Sequence, residues 1–129
     1  MKNNINVGNK DNSLNVLIVE DEIILALAIE VSLKKMGFAV CAIATSAPKA
    51  IEYAKTKKAN IVLMDINLNK KETGIDAANV IWEEYKIPII FLTSFADDQT
   101  VKEAMACQPY GYLVKPYRDE ELKASLNTA

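Results

Sequence analysis

The chain has no histidine. That absence removes a Ser-His-Asp triad, a His-ligated zinc site and a phosphohistidine carried by this chain. Cysteine is scarce: Cys41 and Cys107 stand alone, with no metal-ligand spacing around either. Isolated cysteines of this kind read as reduced structural thiols of a cytosolic protein. Glycine is limited to Gly8, Gly37, Gly74 and Gly111. No Gly-rich loop follows the first apolar run, and no GxxxxGKS/T occurs, so a nucleoside triphosphate has no phosphate cradle. No apolar run approaches the ~18 residues of a membrane helix, and no membrane contact is expected. An excess of one charge is lacking too. Fifteen Lys and Arg against 17 Asp and Glu leave a net −2, interspersed along the chain. Without a basic stripe, no direct nucleic-acid binding is expected.

What is present suits one ordinary domain. The 129 residues are 50% hydrophobic, enough for a single core. Residues 1–13 are polar and Asn-rich, lack the apolar stretch of a signal peptide, and are expected to be a disordered tail. "NVLIVE" (15–20) then reads as a buried strand. In the helix that follows, Ile24, Leu27, Ala28 and Val31 recur at helical spacing, and Gly37 ends it. "AVCAIA" (39–44) is a second strand. Ser46 caps a helix to about Lys57, with Pro48 in its first turn and Ala47, Ala50, Ile51 and Ala54 facing inward. "NIVLMD" (60–65) is the third strand. Thr73 and Asp76 stand at capping-box spacing around Gly74, before a helix through Tyr85 with Ala78, Ile81 and Trp82 inside. "IPIIFLTS" (87–94) is the fourth strand. A short helix starts at Asp97 or Asp98 and runs to about Ala106. "GYLVK" (111–115) is the fifth strand, and "RDEELKASL" the last helix. Continuous apolar strands alternating with helices imply an α/β fold: a doubly wound, five-stranded parallel sheet covered on both faces.

In such a sheet, ligands sit beyond the carboxyl ends of the strands. Glu20 and Asp21 end the first strand, Asp65 the third, Thr93 and Ser94 the fourth, and Lys115 with Pro116 the fifth. Each alone has a plain explanation: Asp21 as a helix cap, Asp65 as a loop acid, Thr93 as a strand residue, Lys115 as an edge charge. Together they ask for more. Three clustered carboxylates repel one another unless a hard divalent cation is bound, and Mg²⁺ suits oxygen ligands near phosphate. Lys115 and Thr93 add a positive charge and a hydroxyl donor for an anion. The set reads as a phosphoryl site, with central Asp65 the best candidate for a carboxylate nucleophile.

"LIVEDE", "IVLMDINL", "TGIDAA", "IIFLTS" and "GYLVKPY", in this order, resemble the receiver domain of two-component response regulators. The resemblance spans about Leu14 to Leu126, written as a domain over 14–127. It implies a flavodoxin-like (βα)5 fold with strand order 2-1-3-4-5. It implies that Asp65 accepts phosphate from a sensor histidine kinase or a His-containing phosphotransfer protein, in the cytoplasm. Asp21 and Asp65 would ligate Mg²⁺ (Mn²⁺ can replace it), Glu20 would do so through water, and Asn67 would give its backbone carbonyl. Thr93, the Ser94 backbone and Lys115 would stabilise the phosphoryl group. Thr93 and Tyr112 would form the switch, and the Lys115–Pro116 bond would be cis. The output face would be the fourth helix, fifth strand and fifth helix, read by an effector protein or a fused domain. The chain would assist its own phosphorylation and dephosphorylation without turning over an external substrate. Glu20 stands where many receivers have Asp, and Pro109 and Tyr110 stand where many have small residues. With that strand order, Cys41 and Cys107 are expected too far apart to bridge.

Two other readings compete. One is a receiver-like scaffold that is never phosphorylated, although all five key side chains are present. The other is a small phosphohydrolase with an aspartyl nucleophile. That chemistry wants an acid two residues after the nucleophile, where this chain has Asn67, which cannot transfer a proton.

Overall fold

A computed structural model describes residues 14–66, 74–93, 98–106 and 109–128. The expected tail (1–13), Asn67, Thr73, Ser94, Asp97 and Cys107 lie outside them. Strands β1 (Asn15–Val19), β2 (Ala39–Ala44), β3 (Ile61–Asp65), β4 (Ile89–Thr93) and β5 (Gly111–Val114) alternate with helices α1 (Ile23–Lys35), α2 (Ala47–Thr56), α3 (Gly74–Tyr85), α4 (Asp98–Ala106) and α5 (Asp119–Thr128). Every neighbouring strand pair is parallel, and the sheet runs β2-β1-β3-β4-β5. This is the doubly wound order expected from the resemblance.

Strand periodicity divides the core into two layers. Leu17, Val19, Val62, Met64, Ile89 and Phe91 point to one face, against small residues such as Ala50 and Ala54 of α2 and Ala78 of α3. Val16, Ile18, Ile61, Leu63, Ile90 and Leu92 point to the other, against α1 and α5. Apolar residues therefore occupy both faces of the central strands, which is why these strands read as unbroken apolar runs. Edge strand β2 is only half-buried, and its Cys41 thiol is pushed up by burial.

Local signals set the helix ends. The Ser46 hydroxyl accepts the Lys49 N–H at 3.3 Å, capping α2. Gly37 closes α1 at φ 94°, a conformation costly for residues with a Cβ.

The helix faces depart from the sequence pattern in three places. In α1 the buried residues are Ala26, Ile29 and Leu33, whereas Ile24 is 79% exposed and Val31 59%. Between Ile23 and Leu33 only Glu30 and Ser32 are polar, so periodicity had two apolar stripes to choose from. The sheet took the narrower one, through Ala26. Ile51 is half-buried at the edge of its layer. Trp82 is also half-buried, with the Lys86 ammonium 5.3 Å from its ring centre.

Candidate functional site

The sheet register brings the chemistry to one edge. Val19 pairs with Met64, Asp65 with Leu92, and Thr93 with Val114. Glu20 and Asp65 therefore emerge at one level, with Thr93 one residue further along β4 and Lys115 one further again after β5. Backbone bonds hold these exits: Glu20 N–H to the Ala44 carbonyl at 3.0 Å, Ile66 N–H to Leu92 at 3.0 Å, and Lys115 N–H to Thr93 at 2.6 Å. The Lys115–Pro116 peptide bond is cis.

Glu20, Asp65 and Thr93 are the buried polar residues of the described core, while Asp21 is exposed at the rim. One carboxylate oxygen each from Glu20, Asp21 and Asp65 lie within 4.8 Å of one another. The Lys115 ammonium enters this cluster. It stands 3.1 Å from Glu20 Oε1 and 3.6 Å from Asp65 Oδ2. Glu20 Oε2 accepts the Glu22 N–H at 3.2 Å.

These contacts shift the acids in opposite directions. Burial alone would raise the Glu20 carboxyl, but the Glu22 N–H and the Lys115 ammonium more than offset it, and the net is a lowered pKa. Asp21 is raised, first by desolvation and then by neighbouring Glu20. Three oxygen-donor acids with a single ammonium among them suit a hard divalent cation, so the donor set fits Mg²⁺.

Sequence reasoning missed three features. The Lys115 ammonium pairs with Glu20 as well as with Asp65, and the Glu20 contact was not anticipated. The reach of a Lys side chain across strands leaves no trace in residue spacing. Tyr117 is half-buried beside the site, and its phenol is pushed up to about 12 by burial and then by Glu20, Asp119 and Asp65. A cavity of about 290 Å³ opens between α1 and the turn after β5, with Leu25, Ile29, Leu122 and Tyr117 in its wall and Glu20 and Lys115 bordering it.

A parallel 2-1-3-4-5 sheet with an acidic pocket at its carboxyl edge defines a doubly wound α/β domain with its ligand site at that edge. The match to known proteins is specific. The model of the response regulator receiver domain matches residues 16–127, and the chain belongs to that family. It is a receiver domain of two-component response regulators. The transcriptional regulatory protein PdtaR of Mycobacterium tuberculosis is 32% identical over 114 residues, covering 88% of this chain and 55% of that protein. The chain thus spans about half the length of that relative. The signal receiver domain of a modulated diguanylate cyclase from Desulfovibrio desulfuricans superposes with a TM-score of 0.83 at 32% identity, covering 89% of this chain and 91% of that one. The receiver domain of sensor histidine kinase PA1611 from Pseudomonas aeruginosa superposes with a TM-score of 0.78 at 26% identity, covering 88% and 94%. That domain holds a magnesium ion coordinated in its active-site cleft. Receiver domains bind Mg²⁺ in their acidic pocket and work with histidine kinases or phosphotransfer proteins and with effector domains. Among the described residues, no helix is long and apolar enough to cross a membrane.

Proposed function

We propose that Asp65 is the phosphoacceptor of this receiver, taking a phosphoryl group from a phosphohistidine on a partner protein in the cytoplasm. One observation carries the reading: a buried carboxylate at the carboxyl edge of the central strand β3, with two further acids and an ammonium around it. An Asp65 carboxylate oxygen attacks phosphorus in line with the leaving imidazole nitrogen. The O–P bond forms as the P–N bond breaks, and the nitrogen leaves with the electron pair. Lys115 and the Thr93 hydroxyl then meet the charge on the equatorial phosphoryl oxygens. Mg²⁺, or Mn²⁺ in its place, would be held by Asp21, Asp65 and the Asn67 carbonyl, with Glu20 through water, and when bound neutralises phosphoryl charge. Asn67 and the Ser94 backbone belong to this assignment by family position. The chain assists its own phosphorylation and dephosphorylation, and no external substrate is turned over.

Phosphorylation adds about −1.5 to −2 charge beside Thr93 and Lys115. Tyr112 packs against the core layer of Phe91 and Ala104 with its hydroxyl oxygen buried. Thr93 drawn toward the phosphoryl group would lock this ring inward, and α4, β5 and α5 form the face an effector reads. The donor approaches from the other side. Ile23, Ile24, Leu25, Leu27 and Val31 are all exposed on α1, which starts directly after the acidic pair. An apolar helical face on the phosphodonor covers this patch while its phosphohistidine reaches Asp65.

The test is incubation with Mg²⁺ and a small acyl phosphate, followed by intact mass. One added phosphoryl group is expected in the wild type and none in Asp65→Asn. A wild type that takes none is a scaffold only, and turnover of many equivalents marks a hydrolase.

A further inference from the structure

The cavity between α1 and the turn after β5 has a shape set by residue size. Leu25, Ala28, Ile29 and Ser32 recur at helical spacing along one stripe of α1 and line one side of it. Ala28 and Ser32 are the small members of that stripe, and they leave open a space that longer side chains would fill. Pro116 and Tyr117 of the turn and Leu122 of α5 line the other side. The cavity volume is about 290 Å³. An apolar cavity of about 150 Å³ holds a benzene ring, so this one takes a body of one or two rings. Leu25 is 42% exposed, and a ring laid against it removes apolar surface from water. The polar groups of the lining favour a cation. Asp119, at the start of α5, is exposed and has no ion pair among the described residues. Glu20 and Lys115 also border the cavity, but they are paired with each other at 3.1 Å. The Tyr117 phenol is pushed up to about 12, by burial and then by Glu20, Asp119 and Asp65, so the ring is neutral in a negative field. An anion would meet Asp119 with Glu120 and Glu121 behind it in the first turn of α5, whereas a cation meets a carboxylate beside an aromatic ring.

We propose that this cavity binds a small aromatic amine, with a one- or two-ring body between Leu25, Ile29 and Leu122 and the ammonium at Asp119 beside Tyr117. The cavity size selects the body and the carboxylate selects the head, the usual division of labour in a small-molecule site. Leu25 also belongs to the exposed apolar face of α1, so an occupant stands against the surface on which a protein donor docks. Bound amine therefore slows phosphoryl transfer from such a donor, a consequence that rests on the phosphoacceptor reading of Asp65. A small acyl phosphate needs no docking surface, and its reaction at Asp65 continues.

Tryptamine is the probe, titrated into the full chain and followed by amide NMR. Saturable shifts are expected at Leu25, Ala28, Ser32, Asp119 and Leu122. Indole-3-propionate, the same ring on an anionic tail, binds more weakly. Asp119→Asn weakens tryptamine about threefold, the scale of one exposed ion pair, and leaves the propionate no weaker. Ala28→Phe fills the cavity from an exposed helix position and abolishes binding. Glu84→Gln, on α3 at the other face of the sheet, controls for overall charge and binds as the wild type does. Saturating tryptamine slows transfer from a phosphohistidine protein and leaves labelling by a small acyl phosphate intact. Shifts that do not saturate or that lie elsewhere, propionate binding as tight as tryptamine, or full affinity in Asp119→Asn or Ala28→Phe overturns the site. Unchanged transfer from the protein donor with the cavity occupied overturns the regulation alone. A chain that no acyl phosphate labels overturns the phosphoacceptor reading, and the tryptamine shifts still decide the site.

Discussion

Gly74 ties the fold to the site. It is the first residue of α3, and its N–H donates to the Ile66 carbonyl at 2.8 Å. A methyl group at Gly74 would overlap the carbonyl oxygen of Asp65 and come within 2.8 Å of Met64 Cγ. The first obstacle is backbone, which cannot rotate away as a side-chain end can. Gly74→Ala must therefore push the start of α3 off the end of β3. Overpacking of this kind costs about 1–3 kcal/mol. Lengthening the Gly74–Ile66 hydrogen bond adds about 1 kcal/mol. The better helix propensity of Ala returns at most about 1 kcal/mol. The net loss is about 2 kcal/mol, which lowers a urea midpoint by about 1 M at an ordinary m-value. The displaced carbonyl belongs to Asp65, the proposed phosphoacceptor, so phosphoryl uptake from a small acyl phosphate should slow as well. Gly111→Ala is the internal control. There the nearest atoms are Ile90 Cγ1 at 3.4 Å and Ser125 Cβ at 3.8 Å, ordinary contact distances. Losing a strand glycine at that site should be neutral or stabilise by up to about 1 kcal/mol. A Gly74→Ala midpoint equal to wild type, or one no lower than that of Gly111→Ala, would refute the close-approach argument.

Four further outcomes are expected. Asp21 has a carboxyl raised above 3.8, so its ionised form costs stability above the folded pKa, and the cost fades as pH falls through that value. Asp21→Asn should stabilise the metal-free chain at neutral pH by a few tenths of a kcal/mol at this screened rim, show no gain near pH 3, and weaken Mg²⁺ binding, as paired urea melts and calorimetry would report. Glu20 has the opposite sign: its folded pKa lies below 4.5, so its contribution is present above that pH and is lost as pH falls through the folded value. Tyr117 should ionise near 12, isolated spectrophotometrically by difference against Tyr117→Phe, and stability should fall between about pH 10 and 12 as the unfolded chain releases that proton first. Ile24→Lys should change stability by less than about 0.5 kcal/mol, because Ile24 is 79% exposed. It should leave labelling by a small acyl phosphate intact and slow transfer from a phosphohistidine protein. Equal slowing with both donors would remove α1 from the docking surface.

The division between what was legible in the sequence and what was not follows physical reach. Ile61–Asp65 and Ile89–Thr93 are buried along their whole length, so their apolar runs declared the central strands, and strand–helix alternation then declared a parallel sheet. Once the sheet is parallel, the residues that end its strands must share one edge, and Glu20, Asp65, Thr93 and Lys115 were legible as a group. The buried face of α1 was not, because Ile24, Leu27 and Val31 form as good a stripe as Ala26, Ile29 and Leu33. A helix apolar all round is oriented by what it packs on, and here the unburied stripe faces outward beside the acids. The pairing inside the pocket was equally hidden. Topology puts Lys115 two strands away from Glu20 and only one strand, β4, away from β3, which carries Asp65, so adjacency alone favours the Asp65 partner. The long side chains of Lys and Glu reverse that order, at 3.1 Å against 3.6 Å. Side-chain reach, which residue spacing does not record, sets the ammonium closest to Glu20 while it stays within ion-pair range of Asp65.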